Sequence, residues 1–391
     1  ASAVLHAMGD KTRIYQDRNI IVLMAWYPVV LAAGIGSLRR RFVRGAAAGV
    51  VLAGALDSSV TIDLFLPGDW TVSIGGTWGR ESTNVRYSVV IPATGMSRLS
   101  RTAYRNRSRA YEVGAEGPLF SLSGGEARLA VGAGYRSNAF RSGNLISGYT
   151  QVDGDVGSRF AYAELNLPLV GPEQGVAGVQ RLALTGALRG EHYDSFGGVT
   201  TPKLGLIYSP NADITVKASW GKSFKVPTLA QQYLTRDAYL FPAAALGGTG
   251  YARGATALYL TGGNPDLHPE RARTRSASLA FHPEAVDGLE AELTWFDVGY
   301  TERVVQPLVP AQALSNLAFA SFIRVAPSAA ELAEILRTFR FTNATGAAYD
   351  PAKVVAIAPN LFMNTSRQRA KGLDASGSYR FDLAAGRLTV R

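Results

Sequence analysis

The chain has 391 residues, 47% of them hydrophobic and 18% charged, with a formal net charge of +10, 42 Gly, 17 Tyr and no cysteine. The length admits one large domain or two ordinary ones, and the lack of cysteine excludes a disulfide scaffold and a thiolate metal site. A mean hydropathy of +0.04 is low for a bundle of membrane helices but ordinary for a wall whose residues face lipid and water in alternation, and the positive charge alone fits nucleic acid, anionic lipid or an acidic ligand.

In chain order, the first apolar run covers residues 19–38, reads IIVLMAWYPVVLAAGIG over most of its length, and is bounded by Arg18 and by Arg39, Arg40 and Arg41. It just meets the length of a spanning helix, but Pro28, Gly34 and Gly36 interrupt it. The stretch that follows, RRRFVRGAAAGVVLAGALDSS, reads like a twin-arginine or secretory signal placed well inside the chain. Residues 1–54 are therefore set apart as an uncertain segment. They are read first as early barrel strands, and alternatively as a membrane helix or export signal.

From about residue 55 onward the apolar period is two, which marks strands with one apolar face. In EARLAVGAGYR, Leu129, Val131, Ala133 and Tyr135 oppose Glu126, Arg128 and Arg136. In RFAYAELNLPL, Ala161, Ala163, Leu165 and Leu167 oppose Tyr162, Glu164 and Asn166. RLALTGALRGE sets Leu182, Leu184 and Leu188 against Arg181, Thr185, Arg189 and Glu191, and ITVKASWGK sets Ile214, Val216, Ala218 and Trp220 against Thr215, Lys217, Ser219 and Gly221. RNRSR at 105–109 fits an alternating strand face as well as a nucleic-acid patch, and no nucleic-acid partner is expected.

Shorter turns alternate with longer connections. The short ones fall near 66–69, 120–125, 169–179, 209–212, 283–287 and 382–386; the others near 88–101, 139–157, 195–198, 225–269 and 304–369, of which only 195–198 is tight. Short turns on one rim and long loops on the other are what outer-membrane barrels show. Two strands per short turn give about 12 strands, with two more expected before residue 55, against about 22 in a plugged transporter barrel.

Two phrases bracket the 225–269 connection: GKSFKVPTLAQQY from Gly221, and GNPDLHPE ending at Glu270. The first resembles the Gly-x-x-Phe-Arg-x-Pro-Thr phrase of TonB-dependent outer-membrane receptors, carried here by Gly221, Phe224, Lys225, Pro227 and Thr228, with Lys225 where that family usually has Arg. The second resembles the family's Asn-Pro-x-Leu-x-Pro-Glu phrase and is intact in Asn264, Pro265, Leu267, Pro269 and Glu270. RFAYAELNLPLVGP, LTGALRGEHYDSFGGVTTPKLGLIYSP, GLEAELTWFDVGYTERV and RAKGLDASGSYRF resemble further strands of that barrel, in order. The likeness covers about 117–391 and is densest over 159–300.

The resemblance implies an all-β, antiparallel up-and-down transmembrane barrel in the outer membrane of a Gram-negative bacterium, present here in part over 55–391 and cut off at Arg391. It also implies energy-coupled uptake of a scarce ligand such as a siderophore, cobalamin or oligosaccharide. No segment resembles the family's plug domain or energy-coupling box, so the TonB complex would be engaged through a plug that this chain does not carry. A passive porin or channel is the alternative.

Pro227, Pro265 and Pro269 are expected to end strand pairing and keep the chain extended. Arg128, Glu164, Arg189 and Lys217, with Glu191 and Glu292, are expected on the water-facing side, against a plug or ligand. Arg271, Arg273 and Arg275 share the parity of Ala277, Leu279 and Phe281, which places them at an outer rim within reach of lipopolysaccharide phosphates. Tyr193, Tyr208, Trp220, Phe224, Phe281, Trp295 and Phe296 are expected near strand ends as aromatic girdles. PSAAELAEILRTFRF predicts a helix capped by Ser328 and Glu331, with a stripe of Leu332, Ile335, Leu336 and Phe339. No catalytic residue, metal site or cofactor is expected, because the four histidines are scattered and no nucleophile motif accompanies His192.

Overall fold

The computed structural model of the chain describes residues 49–90, 97–383 and 386–390. The apolar run at 19–38 and the first part of the arginine-rich stretch after it lie outside the described residues. In chain order come β1 (Gly49–Leu66), β2 (Trp70–Val90), β3 (Ser97–Leu122), β4 (Gly125–Asn144), β5 (Thr150–Val170), β6 (Arg181–Tyr193), β7 (Gly197–Ser209) and β8 (Ile214–Lys225). An excursion then holds helix α1 (Leu229–Tyr233), β9 (Asp237–Pro242) and β10 (Thr256–Gly262) before β11 (Glu270–Phe281) and β12 (Leu289–Val305). A second excursion holds β13 (Arg324–Val325), α2 (Ala329–Thr338), β14 (Arg340–Asn343) and β15 (Val354–Leu361), and β16 (Met363–Leu383) and β17 (Gly386–Val390) close the series.

Twelve strands form one sheet in the order β1 to β8, then β11, β12, β16 and β17, so that chain neighbours are sheet neighbours once the excursions are set aside. The pairs from β4 to β17 are antiparallel. This is the up-and-down sheet and the strand number expected from the turns. The other five strands form a small sheet in the order β13-β15-β10-β9-β14, which the sequence reading leaves as loop.

The chain divides into two compact units. Of the first, Ala1–Leu52 with Asn84–Thr102, the described residues are strand segments belonging to β1, β2 and β3. The second, Ala53–Thr83 with Ala103–Arg391, holds everything discussed below.

Two connections differ from expectation. The long loop expected over 139–157 shrinks to 145–149, because β4 runs to Asn144 and β5 starts at Thr150. A strand end that carries no apolar face resembles a loop in sequence; here Arg141 and Asp153 pair across it at 3.5 Å. For the same reason β2 and β3 extend into the 88–101 connection, as far as Val90 and from Ser97.

The hydrophobic core sits in the small sheet. Ala238, Leu240, Leu258, Leu260 and Ile357 on one of its faces are buried against Leu332 of α2, with Ile335 and Phe339 packed alongside. On the other, Ala257, Ala356 and Ala358 are buried against Leu246, Leu308 and Ala313. Helix α2 forms as its capping box predicts: Ser328 Oγ accepts from the Glu331 amide at 3.2 Å, and the Glu331 carboxylate accepts from the Ser328 amide at 2.7 Å.

The large sheet is the reverse. Leu188, Leu204, Leu279, Leu293 and Leu373 are 54, 59, 49, 46 and 67% exposed, and all lie on one face by register. Water-soluble proteins do not leave an apolar surface of this breadth uncovered.

Candidate functional site

Directly opposed residues of an antiparallel pair share a face, so the register sorts the wall from β4 to β17. From β8 through β11 and β12 to β16, one face presents Ile214, Phe281, Ala291 and Gly377 in a first row. Val216, Leu279, Leu293 and Ala375 make the second row, and Ala218, Ala277, Trp295 and Leu373 the third. The fourth row, Trp220, Arg275, Asp297 and Lys371, is mixed, and the fifth, Lys222, Arg273, Gly299 and Arg369, has no apolar side chain. Arg271, Arg273 and Arg275 thus continue the apolar face beyond its upper border, and all three are exposed.

The opposite face is polar and internally bonded. Ser219 and Ser276 hydroxyls meet at 2.7 Å, Ser278 and Thr294 at 2.8 Å, and Tyr162 donates to Glu112 at 3.0 Å. The four candidates on this side fall into separate places rather than one cluster. Arg128 lies 4.0 Å from Glu126, Lys217 lies 3.8 Å from Glu292, and Glu164 shares its face with Lys203 two strands away.

Arg189 joins the most enclosed polar group of the wall. Glu191, only 5% exposed, accepts from Arg136 at 2.8 Å, Arg189 at 3.2 Å, Ser158 at 3.1 Å and Tyr193 at 2.5 Å. Both guanidinium groups rest on the buried Phe160 ring, at 4.7 and 4.3 Å from its centroid, which adds a cation–π attraction. Alternation alone puts Arg189, Glu191 and Tyr193 on one side. Their convergence with Arg136 and Ser158 depends on β4 and β5, which the local sequence does not reveal.

The aromatic residues divide by the same parity. Trp295 lies on the apolar face, whereas Phe296, next in sequence, lies on the polar face over Gly372 and is not part of a girdle. Tyr208 belongs to the apolar face at the short-turn rim and donates to the Gly178 carbonyl at 2.7 Å. Phe224 meets Tyr193 edge to face at 6.0 Å, and Tyr193 stacks on Phe196 at 4.6 Å.

The two phrases flanking the first excursion meet in space. β8 ends at Lys225, two residues before Pro227, and β11 begins at Glu270 immediately after Pro269. Lys225 and Glu270 are register partners whose side chains pair at 3.0 Å, with Arg303 on the other carboxylate oxygen at 3.7 Å. Thr228 caps α1 in a capping box with Gln231, and Gln232 donates to the Pro227 carbonyl at 2.9 Å. Asn264 donates to the Phe362 carbonyl at 3.0 Å, Leu267 is 2% exposed, and His268 and Asn364 exchange bonds at 2.9 and 2.8 Å. Gly221 continues the polar face, with Lys203 as its partner. The phrases are the junction from which both excursions leave the wall.

Above that junction the small sheet carries a polar, aromatic edge. Arg340 pairs with Asp237 at 2.5 Å and lies 3.8 Å from the centroid of the Tyr149 ring. Burial, and then the neighbouring Asp237 charge, push the Tyr239 hydroxyl above its ordinary pKa. The hydrogen bond to Asp237 raises the Arg340 guanidinium further, so it stays charged at any working pH. None of these residues stands out in sequence, because Asp237 and Arg340 are 103 positions apart. Among the described residues no group of acidic and histidine side chains could hold a metal ion, and His192 is an exposed strand-end residue opposite Arg159 and Gly198.

A model of the TonB dependent receptor-like β-barrel family matches residues 39–391. The ferric enterobactin receptor of Pseudomonas aeruginosa is 31% identical over 127 residues, which are 32% of this chain and 16% of that protein. Among solved structures, the siderophore receptor PirA from Acinetobacter baumannii is 15% identical with a TM-score of 0.47, over 85% of this chain and 51% of that one. The RagAB peptide transporter gives 12% and 0.49, over 86% of this chain and 35% of that one. The chain therefore spans about half or less of the length of the relatives it matches.

Proposed function

The chain belongs to the TonB dependent receptor-like β-barrel family, and from that premise we propose that it forms wall and outer loops of a Gram-negative outer-membrane receptor that imports a scarce ligand with energy from the TonB complex. The observation that carries this reading is the opposition of an exposed apolar face to a hydrogen-bonded polar face over one antiparallel sheet. Such a sheet is stable where lipid covers one side and water or protein the other. Strands satisfy the backbone within the wall, and charged groups such as Lys217 and Glu292 pair where water or a plug domain meets them.

The ligand class best supported is a ferric siderophore. The curated relative is named for ferric enterobactin, the chain is basic, and Arg340 with Tyr149 and Tyr239 offers cationic and aromatic contacts on the outer sheet. On this reading the two excursions receive the ligand, and the Lys225–Glu270 junction fixes them to the wall. No bond is made or broken by the chain.

Growth on a ferric siderophore as the sole iron source, compared in strains with and without TonB and with and without this protein, tests the reading. Uptake that needs both supports it. Uptake through this protein that persists without TonB would make it a passive channel.

A further inference from the structure

The three outermost rows on the apolar face carry more cations than their surroundings neutralise. Lys222 and Arg273 are register partners, as are Gly299 and Arg369, which place the third cation of that row two strands beyond Arg273. The row below holds Arg275, Asp297 and Lys371 side by side, and Arg271 stands opposite Phe224 above. Six cations therefore share this corner with one carboxylate, and that carboxylate is taken: Arg369 grips Asp297 with two bonds, at 2.8 and 2.7 Å. Among the described residues Lys222, Arg271, Arg273 and Arg275 have no acidic partner within 4.0 Å, and all four are exposed.

Their depth is as informative as their number. The cationic rows begin where the Ala218, Ala277, Trp295 and Leu373 row ends, at the rim from which both excursions leave. With strands about 4.8 Å apart and same-face residues about 6.7 Å apart along each strand, the patch measures roughly 14 by 13 Å. It lies on the lipid side of the border, where an arginine gains nothing from the barrel interior. Guanidinium groups match phosphate oxygens through two parallel bonds.

We propose that this corner binds the phosphate groups of a lipid of the outer leaflet, with the lipid's acyl chains lying against the Val216, Leu279, Leu293 row and its phosphates on Arg271, Arg273, Arg275 and Lys222. The proposal rests on the membrane reading above and deepens it. The occupant is a phosphorylated lipid rather than free phosphate, because the apolar rows and the cations form one continuous surface. Asp297 orients Arg369 at its edge and disfavours a second carboxylate there.

The test uses the full-length protein in detergent micelles and measures binding of a diphosphoryl lipid A, the same lipid with its phosphates removed, and inorganic phosphate. Wild-type protein should hold the diphosphoryl lipid at least tenfold more tightly than the dephosphorylated one, with the advantage shrinking as salt rises. Arg273→Gln with Arg275→Gln should remove most of that advantage, and Arg337→Gln on α2 should leave it intact. Equal binding of the two lipids, an advantage unchanged by the double substitution, or displacement by inorganic phosphate at comparable concentration would overturn the proposal.

A separate arm keeps its failure apart from failure of the membrane reading. In bilayers with brominated acyl chains, the part of the tryptophan fluorescence lost in Trp295→Phe should be quenched in the wild type. Quenching without phosphate discrimination leaves the membrane wall standing and removes the lipid site. Absence of quenching removes both.

Discussion

Lys225 Nζ lies 3.0 Å from Glu270 Oε1, joining the last residue of β8 to the first residue of β11 across the whole 226–269 excursion. The carboxylate side chain is 7% exposed and the lysine 60%, so the acid is the enclosed member and Arg303 supports it from the other side. The position that usually carries Arg in the family phrase thus has a definite partner here, and a lysine reaches it.

Removing the lysine should loosen the excursion rather than unfold the wall. Lys225→Ala leaves Glu270 to Arg303 alone, and a double-mutant cycle with Glu270→Ala should give a coupling of about 1–2 kcal/mol. Hydrogen exchange should rise at 226–235 and 262–269 and stay unchanged in β6 and β7. Lys225→Arg should behave as wild type. Faster exchange in β6 and β7 would mean that the pair supports the sheet itself.

Glu191 presents the opposite balance, an enclosed acid between two arginines. Substituting Glu191 by Gln keeps the volume but leaves Arg136 and Arg189 facing each other over Phe160. Breaking an enclosed pair on one side costs about 3–5 kcal/mol, less here because the arginines are 26 and 31% exposed. A urea titration should show a lower midpoint for Glu191→Gln, partly recovered when Arg136→Gln is added. An unchanged midpoint would mean water already satisfies this group.

The apolar face itself can be tested by position. Leu279 sits in the second row with Val216 and Leu293, and an arginine at mid-depth on a lipid face costs about 2–4 kcal/mol. Leu279→Arg should therefore lower stability in lipid bilayers by that order and much less in water-rich micelles. Thr274→Glu, on the polar face, should cost little in either. Equal costs for the two variants in bilayers would show that this face does not meet lipid.

Much of this wall is legible in the sequence, for a physical reason. A period of two is local, so Leu129, Leu165, Leu184 and Trp220 declare their side without reference to any partner, and the turns between them follow from Gly, Pro and Asp at the tips. Helix α2 is legible because Ser328 and Glu331 cap each other within one turn. The small sheet is not, since β10 pairs in parallel with β15 from about 100 positions away, Leu258 with Ile357 and Leu260 with Pro359. No local pattern selects a partner at that distance. Arg340 and Tyr149 escape notice for the same reason, and the true ends of β4 and β5 because their polar ends lose the alternation that would mark them.

Acid should weaken the capping box of α2. The Ser328 amide bond, with Arg324 and the Ser328 hydroxyl, lowers the Glu331 carboxyl to about 2 from its ordinary 4.5. A depressed acid contributes its stability above the unfolded-state value and loses it as pH falls through the folded one. The cap is thus complete above about pH 5 and lost progressively toward pH 2. Amide exchange in the first turn of α2, corrected for intrinsic rates, should accelerate over that window. In Glu331→Gln the dependence should disappear, and its persistence there would assign the effect to another group.

Gly263 offers a steric test of the junction. A Cβ built at this position would lie 2.5 Å from the Gln232 carbonyl oxygen and 2.6 Å from the Leu234 amide nitrogen, both backbone atoms of the α1 turn. Neither can step aside, because the Gly263 amide donates to the Leu234 carbonyl at 2.7 Å and the Asn264 amide to the Gln231 carbonyl at 2.9 Å. Gly263→Ala must therefore push 262–267 away from α1, at a cost of about 1–3 kcal/mol for the overpacking, and weaken the Asn264 bond to Phe362 that ties the two excursions together. Gly190, whose added Cβ would meet no neighbouring atom within 4 Å, supplies the control. Limited proteolysis should cut Gly263→Ala within 226–269 faster than wild type or Gly190→Ala. Equal cutting of all three would show that the excursion is held by something other than this contact.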